Sequence, residues 1–264
     1  MTILTEIKEA VVISLNSIRA NKVRSFLATL GIVIGITTVT ILQTAIEGIN
    51  TAFEKSISAV GADVLYIQKF EWFGKDDWDT YRNRRDINMQ DYNYFAENMN
   101  NAESICPTVG SAGLVTYQDF TSENIPIFGT TEEYQRTLGL EVAEGRFFTK
   151  RESDGGWGVC VIGYDIKESF FSGIDPIGKV IQINGHNFKI IGTYEKMGSM
   201  LGLFSLDNRI IIPINKFFKL FGTRRSLTIN VKAPSVDAME DTKEEVRSVM
   251  KRARRIPVGG KDDF

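Results

Sequence analysis

The chain has 264 residues, of which 31 are basic and 33 are acidic, with a formal net charge of −2. Positions 47–264 hold 27 basic and 31 acidic residues, and such a nearly balanced charge gives no electrostatic footprint for nucleic acid. Cys106 and Cys160 are the only cysteines, which excludes a disulfide scaffold. An oxidising compartment would permit one bridge between them, but two free buried thiols are the expectation.

Residues 1–24 carry an amphipathic pattern. Their apolar side chains recur every three or four residues and so share one helical stripe: Ile3, Ile7, Val11, Leu15 and Ile18. This stripe predicts an interfacial helix on the cytoplasmic leaflet of a membrane. A helix packed on a partner protein would show the same stripe, so both interpretations stay open.

The segment from Ser25 to Ile46 has no formal charge over 22 residues. As a helix it would measure about 33 Å, which matches a hydrocarbon core of roughly 30 Å. A cleaved signal peptide has a shorter apolar core of ~7–15 residues, so an uncleaved transmembrane anchor is the prediction. Gly31 and Gly35 have the spacing of small residues at helix contacts in membranes. Because ordinary spans also contain such pairs, a contact there is an expectation only.

Charges on the two sides of this segment predict its orientation. Four basic residues lie within residues 8–24, whereas Glu47 and Glu54 follow the segment. The basic side stays cytoplasmic, which places residues 47–264 outside the cytoplasm. A basic cluster within residues 247–255 argues against this, but it lies far from the span, where the rule has little weight.

Beyond the span, the hydrophobic periods alternate between helix and strand. The pattern predicts a continuing helix (Gly48–Val60), a strand (Val64–Ile67), a polar and aromatic loop (Glu71–Asp86), a helix capped by Asn88 (Asn88–Asn98) and two strands (Ile105–Tyr117 and Ile125–Thr130) around a turn at residues 119–124. The same reasoning predicts, further along the chain, a short helix (Glu132–Leu138), four strands (Val159–Ile162, Val180–Ile183, Phe188–Ile191 and Ile210–Ile212), a helix (Ile214–Phe221), a strand (Ser226–Val231) and a charged helix (Val236–Arg255). Asn184-Gly185 predicts a tight hairpin turn because both residues accept positive φ angles.

Patterns typical of enzymes are weak in this sequence. Gly173–Lys179 has the Gly and Lys spacing of a phosphate-binding loop, but Val180 replaces the magnesium-binding hydroxyl and a strand follows, which predicts a plain turn. His186 is the only histidine, which disfavours a transition-metal site. Asp262 and Asp263 are predicted to be solvated charges rather than calcium ligands. We therefore expect no catalytic residues, no metal and no cofactor.

Several segments in the right order resemble the MacB-type periplasmic core of FtsX-like ABC transporter permeases. They are Arg19–Ile36, Gly61–Asp63, Gly145–Phe148, Asp175–Lys179, Phe188–Gly192 and Asp262–Phe264. The resemblance extends over essentially the whole chain. It implies an inner-membrane permease that dimerises, pairs with a cytoplasmic ATPase and carries motion to periplasmic partners.

Together with the element pattern, the resemblance predicts an α+β fold with one N-terminal transmembrane helix. The expected division is a cytoplasmic amphipathic helix (residues 1–24), a transmembrane helix (25–46), a βαβ-type, porter-like subdomain (47–118 and 225–264) and an inserted, mostly β subdomain (119–224).

The partners that the resemblance implies are a separate ABC-type ATPase subunit, a second permease in a homodimer or heterodimer, and a periplasmic adaptor with an outer-membrane component. Membrane lipid is expected around the apolar helix, and nucleic acid is not expected. A glycine-punctuated apolar loop is the candidate contact with a periplasmic partner, through Met197, Met200, Leu201, Leu203 and Phe204. The alternative that these side chains pack into the local core is equally open.

The chain departs from the family in two ways. It lacks the three further spans that such permeases carry after the outer domain, and it lacks the fused N-terminal ATPase of MacB. We therefore expect a truncated permease that relies on a separate ATPase chain. The alternative function is a single-span, membrane-anchored envelope adaptor or sensory ectodomain, although the 24-residue leader leaves little room for an output module.

Overall fold

The fold is taken from a computed structural model. It describes residues 7–9, 12–13, 20–60, 63–70, 84–200, 204–205, 207–257, 259–260 and 262–264, with backbone only for residues 49–60, 199–200 and 204. Contacts divide the chain into two compact units, residues 1–54 and residues 55–264.

Helix α1 runs from Lys22 to Val60, over 39 residues. Its part from Lys22 to Gly48 is long and apolar enough to cross a membrane, and none of it is buried. Threonine hydroxyls in this part donate to the carbonyl four residues earlier, as in the bonds from Thr38 to Ile34 (2.8 Å) and from Thr44 to Thr40 (2.9 Å). These hydroxyls are therefore satisfied within the helix, which suits an apolar bilayer. The prediction of one continuous helix from Ser25 to about Val60 is confirmed.

A mixed sheet of nine strands forms the second unit, and two further strands form a separate hairpin. The strands are β1 (Val64–Ile67), β2 (Ser104–Tyr117), β3 (Phe120–Thr130), β4 (Val142–Gly145), β5 (Val159–Ile162), β6 (Val180–Ile183), β7 (His186–Tyr194), β8 (Ser199–Met200), β9 (Phe204–Ser205), β10 (Ile210–Pro213) and β11 (Thr228–Lys232). The order in the sheet is β1-β11-β2-β3-β10-β5-β7-β4, and β6 pairs with both β2 and β7. The pairings from β2 through β3, β10, β5, β7 and β6 therefore lead back to β2, so these six strands close a ring.

Six shorter helices are described after α1. They are α2 (Met89–Asn98), α3 (Tyr134–Leu138), α4 (Lys150–Gly155), α5 (Tyr164–Phe171), α6 (Ile214–Phe221) and α7 (Met239–Ala253). Asn88 caps α2, because its side chain accepts from the N–H groups of Gln90 and Asp91. Helix α2 packs against α7, α3 lies against β2 and β11, and α6 lies against β3. The predicted cap at Asn88 and the predicted helix Ile214–Phe221 are confirmed.

Both faces of the central strands are covered. Every residue of β5 and of β10 is buried, which explains why these strands are continuous apolar runs rather than alternating ones. Ile210 and Ile212 point into one hydrophobic cluster, which we call the first, whereas Ile211 points into another, which we call the second. Gly129 of β3 allows close packing of α6, because a Cβ there would lie 2.4 Å from the Cβ of Phe217.

Two parts of the sequence prediction are corrected by the fold. The turn between β2 and β3 contains two residues, Gln118 and Asp119, rather than residues 119–124, so β3 begins at Phe120. Helices α4 and α5 and strand β4 were not predicted. The loop predicted over Glu71–Asp86 lies mostly outside the described residues.

Other sequence predictions are confirmed. Cys106 and Cys160 are both free and buried, and they belong to different hydrophobic clusters. Gly173–Lys179 contains turns and leads into β6 rather than into a helix. Asn184 and Gly185 have φ angles of 47° and 80°, as the predicted tight turn requires.

Candidate functional site

The candidate partner loop forms a small hairpin, which we call the arm (residues 197–207). Strands β8 and β9 pair antiparallel, with Ser199 opposite Ser205 and Met200 opposite Phe204. This pair is separate from the nine-stranded sheet. The arm therefore has its own backbone pairing and joins the sheet unit at its base.

One buried carboxylate holds the base of the arm. Asp207 is 3% exposed, and its two oxygens accept the backbone N–H groups of Met197 at 2.7 Å and Gly198 at 2.8 Å. The hydroxyl of Ser205 donates to Asp165 at 2.6 Å and accepts the N–H of Asp207 at 3.1 Å. Charged hydrogen bonds of this kind contribute about 1.5–3 kcal/mol each. The two chain segments of the arm are thus fixed to each other and to α5.

The five residues predicted to touch a partner have different surroundings. Met197 is half-buried and packs against the second hydrophobic cluster, and the Arg209 guanidinium lies 3.5 Å from its sulfur. Met200 and Phe204 lie opposite each other in the arm, but the surroundings of their side chains are outside the described residues. Leu201 and Leu203 are outside them altogether. A contact between this loop and a partner stays a prediction.

The predicted helix contact at Gly31 and Gly35 lies on an open surface. A Cβ at either position would meet no atom within 4 Å. None of the described residues therefore packs closely against these two glycines. This contact also stays a prediction.

A second anchor is a fully buried arginine, which ties together four segments of the chain. The Arg254 side chain is 0% exposed and donates to Asp263 Oδ2 at 2.7 Å, to the Arg85 carbonyl at 2.7 Å and to the Asp86 carbonyl at 3.4 Å. It also lies 3.5 Å from the carboxylate of Asp91. Two carboxylates and two carbonyls thus satisfy one buried cation, as buried charges require.

Asp91 extends this group, which we call the Arg254 network. Its carboxylate accepts the N–H of Asn88 at 3.2 Å and pairs with Arg85. The neighbouring Asp262 pairs with Arg247 and Lys251, each at 2.8 Å. The network fixes the segment before α2, the end of α7 and the C-terminal residues to one another.

The prediction that Asp262 and Asp263 are solvated charges is therefore wrong. Sequence reasoning treated the basic residues near the C-terminus only as a topological signal. A usable signal existed, because positions 247, 251 and 254 lie on one face of a helix. A stripe of three cations followed by two adjacent carboxylates and Phe264, which packs against the first hydrophobic cluster, indicates a return contact of the chain.

A third anchor explains the Gly145–Phe148 motif. Arg146 forms a bidentate pair with Glu152 at 2.7 and 2.8 Å, and Glu152 also accepts the N–H of Thr149 at 2.8 Å. The hydrogen bond from Arg146, together with those from Thr149, lowers the pKa of Glu152 from 4.5 to about 2. The rings of Phe147 and Phe148 stack in the second hydrophobic cluster, with their centroids 4.0 Å apart. The motif therefore has a structural role, because it joins a buried aromatic pair to the start of α4.

The described residues show little that could carry covalent chemistry. No three residues among their His, Cys, Asp and Glu side chains lie together as metal ligands. Burial raises the pKa of the Cys106 thiol to about 11, which opposes the thiolate form that a nucleophile needs. What these residues form is a set of ion-paired and hydrogen-bonded anchors.

Comparison with known proteins identifies the family. The model of the MacB-like periplasmic core domain matches residues 25–249. The chain belongs to this family. The matched residues include most of α1 and most of the sheet unit.

Relatives of this MacB-like chain are named as exporters. It is 29% identical over 262 residues to the macrolide export ATP-binding/permease protein MacB of Campylobacter fetus, covering 97% of this chain and 38% of the relative. It is 27% identical over 251 residues to the pyoverdine export ATP-binding/permease protein PvdT of Pseudomonas aeruginosa, covering 95% and 37%. The chain spans a little over a third of the length of these relatives.

Two solved structures share the fold of this MacB-like chain. The periplasmic region of MacB from Actinobacillus actinomycetemcomitans superposes with a TM-score of 0.62 at 20% identity, covering 74% of this chain and 86% of that one. The extracellular domain of the noncanonical ABC-type transporter YknZ from Gram-positive bacteria gives a TM-score of 0.57 at 19% identity, covering 76% and 95%. At these identities the likeness is one of fold.

Proposed function

We propose that the chain is the N-terminal portion of a permease subunit of a MacB/FtsX-like ABC transporter. In this role it transmits motion from a cytoplasmic ATPase to the periplasmic side of the inner membrane, for export or for handling of envelope lipoproteins, peptides or drugs. The observation that carries the proposal is the family match over residues 25–249. The exporter names of the MacB and PvdT relatives support a transport role.

The proposed orientation has the N-terminus in the cytoplasm and residues 47–264 outside it. The four basic residues within positions 8–24 and the acidic residues just after the apolar part of α1 support this orientation. The exposed apolar surface of α1 from Lys22 to Gly48 fits a lipid environment.

The proposed subdomains are a porter-like part (47–118 and 225–264) and an inserted β-rich part (119–224). The pairing of β1 with β11 and of β11 with the first residues of β2, together with the packing of α2 on α7, supports the first part. The ring of strands supports the second part. Strand β2 takes part in both groups of pairings, so the proposed boundary runs through the β2–β3 ribbon.

The proposed route of motion uses α1 and the C-terminal segment. A helix of 39 residues is a stiff element that can carry displacement out of a membrane. The Arg254 network ties the C-terminal residues to α7 and α2, so a displacement of that segment would reach the sheet unit rather than being absorbed by a loose tail. Relative movement of α1 and the C-terminal segment would then reorient the sheet unit.

The proposed partners follow the same scheme. A separate ABC-type ATPase supplies hydrolysis, a second permease completes a dimer through the α1 face at Gly31 and Gly35, and the arm contacts a periplasmic adaptor linked to an outer-membrane component. The arm suits this contact because its base is fixed by Asp207 and Ser205 while its strands stand apart from the sheet.

Purification of the full gene product that contains this chain from native membranes tests the proposal. In mild detergent we expect it to bring a vanadate-sensitive ATPase with it, and an alkaline phosphatase reporter fused after Phe264 should be active in cells. The matched control deletes residues 22–48, which should leave the reporter inactive. A gene product that purifies without any ATPase would overturn the transporter role and favour the single-span adaptor or sensor.

A further inference from the structure

A groove of about 450 Å³ lies between the first residues of β3 and helix α5. Phe120, Thr121 and Ser122 line it on the strand side, and Asp165 and Glu168 line it on the helix side. Its lining residues belong to the described part of the chain, and none of them is a lysine or an arginine. The groove therefore combines a strand, a helix and two carboxylates in one place.

The strand side of the groove is a free sheet edge. Strand β10 pairs with β3 only from Ile127 onward, and β2 occupies the other side of β3. Among the described strands none pairs with this edge between Phe120 and Pro126. Pro126 has no N–H to offer, which is typical of an edge position. An unpaired edge presents hydrogen-bonding groups to any extended chain beside it.

The two-residue turn shows which backbone groups face the groove. Such a turn closes on a hydrogen-bonded pair, here Tyr117 and Phe120, and bonded and non-bonded pairs alternate along the ribbon. Thr121, opposite Thr116, is therefore in a non-bonded pair, so its N–H and C=O point away from β2. Hydrogen bonds on the side of β2 that faces away from β3 are consistent with this alternation. Leu114, two residues before Thr116, exchanges hydrogen bonds with Asn184 on that side, at 2.8 and 2.9 Å.

Length and charge restrict what this edge can bind. A register shift at Gly113/Val115 leaves Asn124 with a φ of 57°, and this bulge ends the regular edge after Ser122. Asp165 and Glu168 are three residues apart on α5 and so share a helix face. Ile166 and Phe170 form an apolar floor below them, while Phe120 is 57% exposed. A short extended segment with alternating basic and apolar side chains matches these features.

We propose that the groove binds an extended, basic segment of a partner protein by adding it as a strand to the free edge of β3. The backbone of the segment pairs with Thr121, its lysine or arginine side chains face Asp165 and Glu168, and its apolar side chains cover Phe120 and Phe170. Strand addition of this kind takes affinity from the main chain and specificity from alternate side chains. The inference rests on the proposed function, because that function calls for a partner outside the cytoplasm and the groove specifies the chemistry of this partner. The groove also adjoins the arm, through the bond from Ser205 to Asp165.

Fluorescence anisotropy with the purified full chain in detergent micelles tests the backbone part. The probe is a labelled octapeptide of alternating lysine and valine. Thr121→Pro removes the groove-facing N–H without removing a bond to β2, and we expect its affinity to fall at least fivefold, as loss of a hydrogen bond of about 1 kcal/mol or more requires. Lys150→Pro is the matched proline control, at the first position of α4, where proline is tolerated. It should bind as the wild type does.

The charge part has its own variant and control. Glu168→Lys should weaken binding about two- to fivefold, the range of an exposed ion pair, whereas Glu97→Lys on α2 makes the same charge change outside the groove. A glutamate–valine octapeptide should not bind. An octapeptide N-methylated at alternate residues should bind at least fivefold more weakly, since it cannot complete a strand pairing.

Three outcomes would overturn the proposal. They are unchanged affinity for Thr121→Pro, equal binding of the N-methylated peptide, and a self-association of the chain that Thr121→Pro abolishes, which would make a second copy the occupant. Circular dichroism and thermal unfolding of each variant establish that it is folded. The readout is peptide binding alone, so a negative result leaves the ATPase and reporter tests of the transporter role unaffected.

Discussion

The arm and the C-terminal segment are both held by charged side chains, but in different ways. Asp207 holds the base of the arm through two backbone N–H groups, and Ser205 ties the arm to Asp165. Arg254 holds the C-terminal segment, the end of α7, the start of α2 and the residues before it at once. The arm is thus a hairpin held near its base, whereas the C-terminal segment is joined to three other parts of the chain.

The largest expected effect comes from removing the cation of the Arg254 network. Arg254→Met would leave the carboxylate of Asp263 and two backbone carbonyls without their cation, and it would leave the buried Asp91 with Arg85 as its remaining cation. Breaking a buried ion pair on one side costs about 3–5 kcal/mol. Urea unfolding of the full chain in micelles should show this decrease in the free energy of unfolding. Arg252→Met, at an exposed position two residues earlier, should change it by less than about 0.5 kcal/mol.

A decrease for Arg254→Met no larger than that of Arg252→Met would contradict the comparison. It would mean that the C-terminal segment is held no more firmly than the arm. Faster amide exchange at Asp263 and Phe264 in the Arg254→Met variant would independently confirm that the network holds this segment.

The arm should respond to a single change with a smaller and more local effect. Asp207→Ala removes two charged hydrogen bonds to Met197 and Gly198, and the effect should stay local because the strands of the arm are separate from the nine-stranded sheet. We expect faster hydrogen exchange at these two amides, with a smaller loss of global stability than Arg254→Met causes. Asp237→Ala, at an exposed position before α7, is the control. A global loss as large as that of Arg254→Met would show that the arm belongs to the core.

The sequence predicted elements best where local signals and packing agree. Helix α6 was predicted with its observed bounds because Pro213 ends β10 and Gly222 follows the helix. Helix α4 was missed although Thr149 and Glu152 have the spacing of a capping box, because the adjacent Gly155 and Gly156 favoured a turn. Helix α5 was missed because Gly163, at its N-terminal cap, provides no capping side chain.

The anchors and the groove were harder to predict than the elements. The turn at Gln118 uses a φ of 51°, an uncommon value for glutamine, so the polar residues after it appeared to be the turn. That misplacement hid the extra residues of β3 and with them the free edge. The Arg254 network joins positions 85, 91, 254 and 263, which only the folded topology brings together.

The anchor of the Gly145–Phe148 motif is partly exposed to solvent and should show the smallest effect. Glu152 is 7% exposed at its side chain, but its partner Arg146 is 54% exposed, so solvent screens part of their attraction. Glu152→Gln also weakens the capping box of α4, for which about 1 kcal/mol is expected. Glu97→Gln on the exposed face of α2 should be neutral.

The pH dependence separates the charge of Glu152 from its hydrogen bonds. Its pKa is about 2 in the folded chain, against an ordinary 4.5, so below pH 4.5 the unfolded chain takes up a proton before the folded chain does. The stabilisation by the carboxylate is therefore complete above that pH and is lost as the pH falls toward 2. The stability difference between wild type and Glu152→Gln, measured by urea unfolding at pH 7, 5, 4 and 3, should narrow in the acid steps. If it stayed constant, the Arg146 pair would contribute nothing, and Glu152 would act through its neutral capping geometry alone.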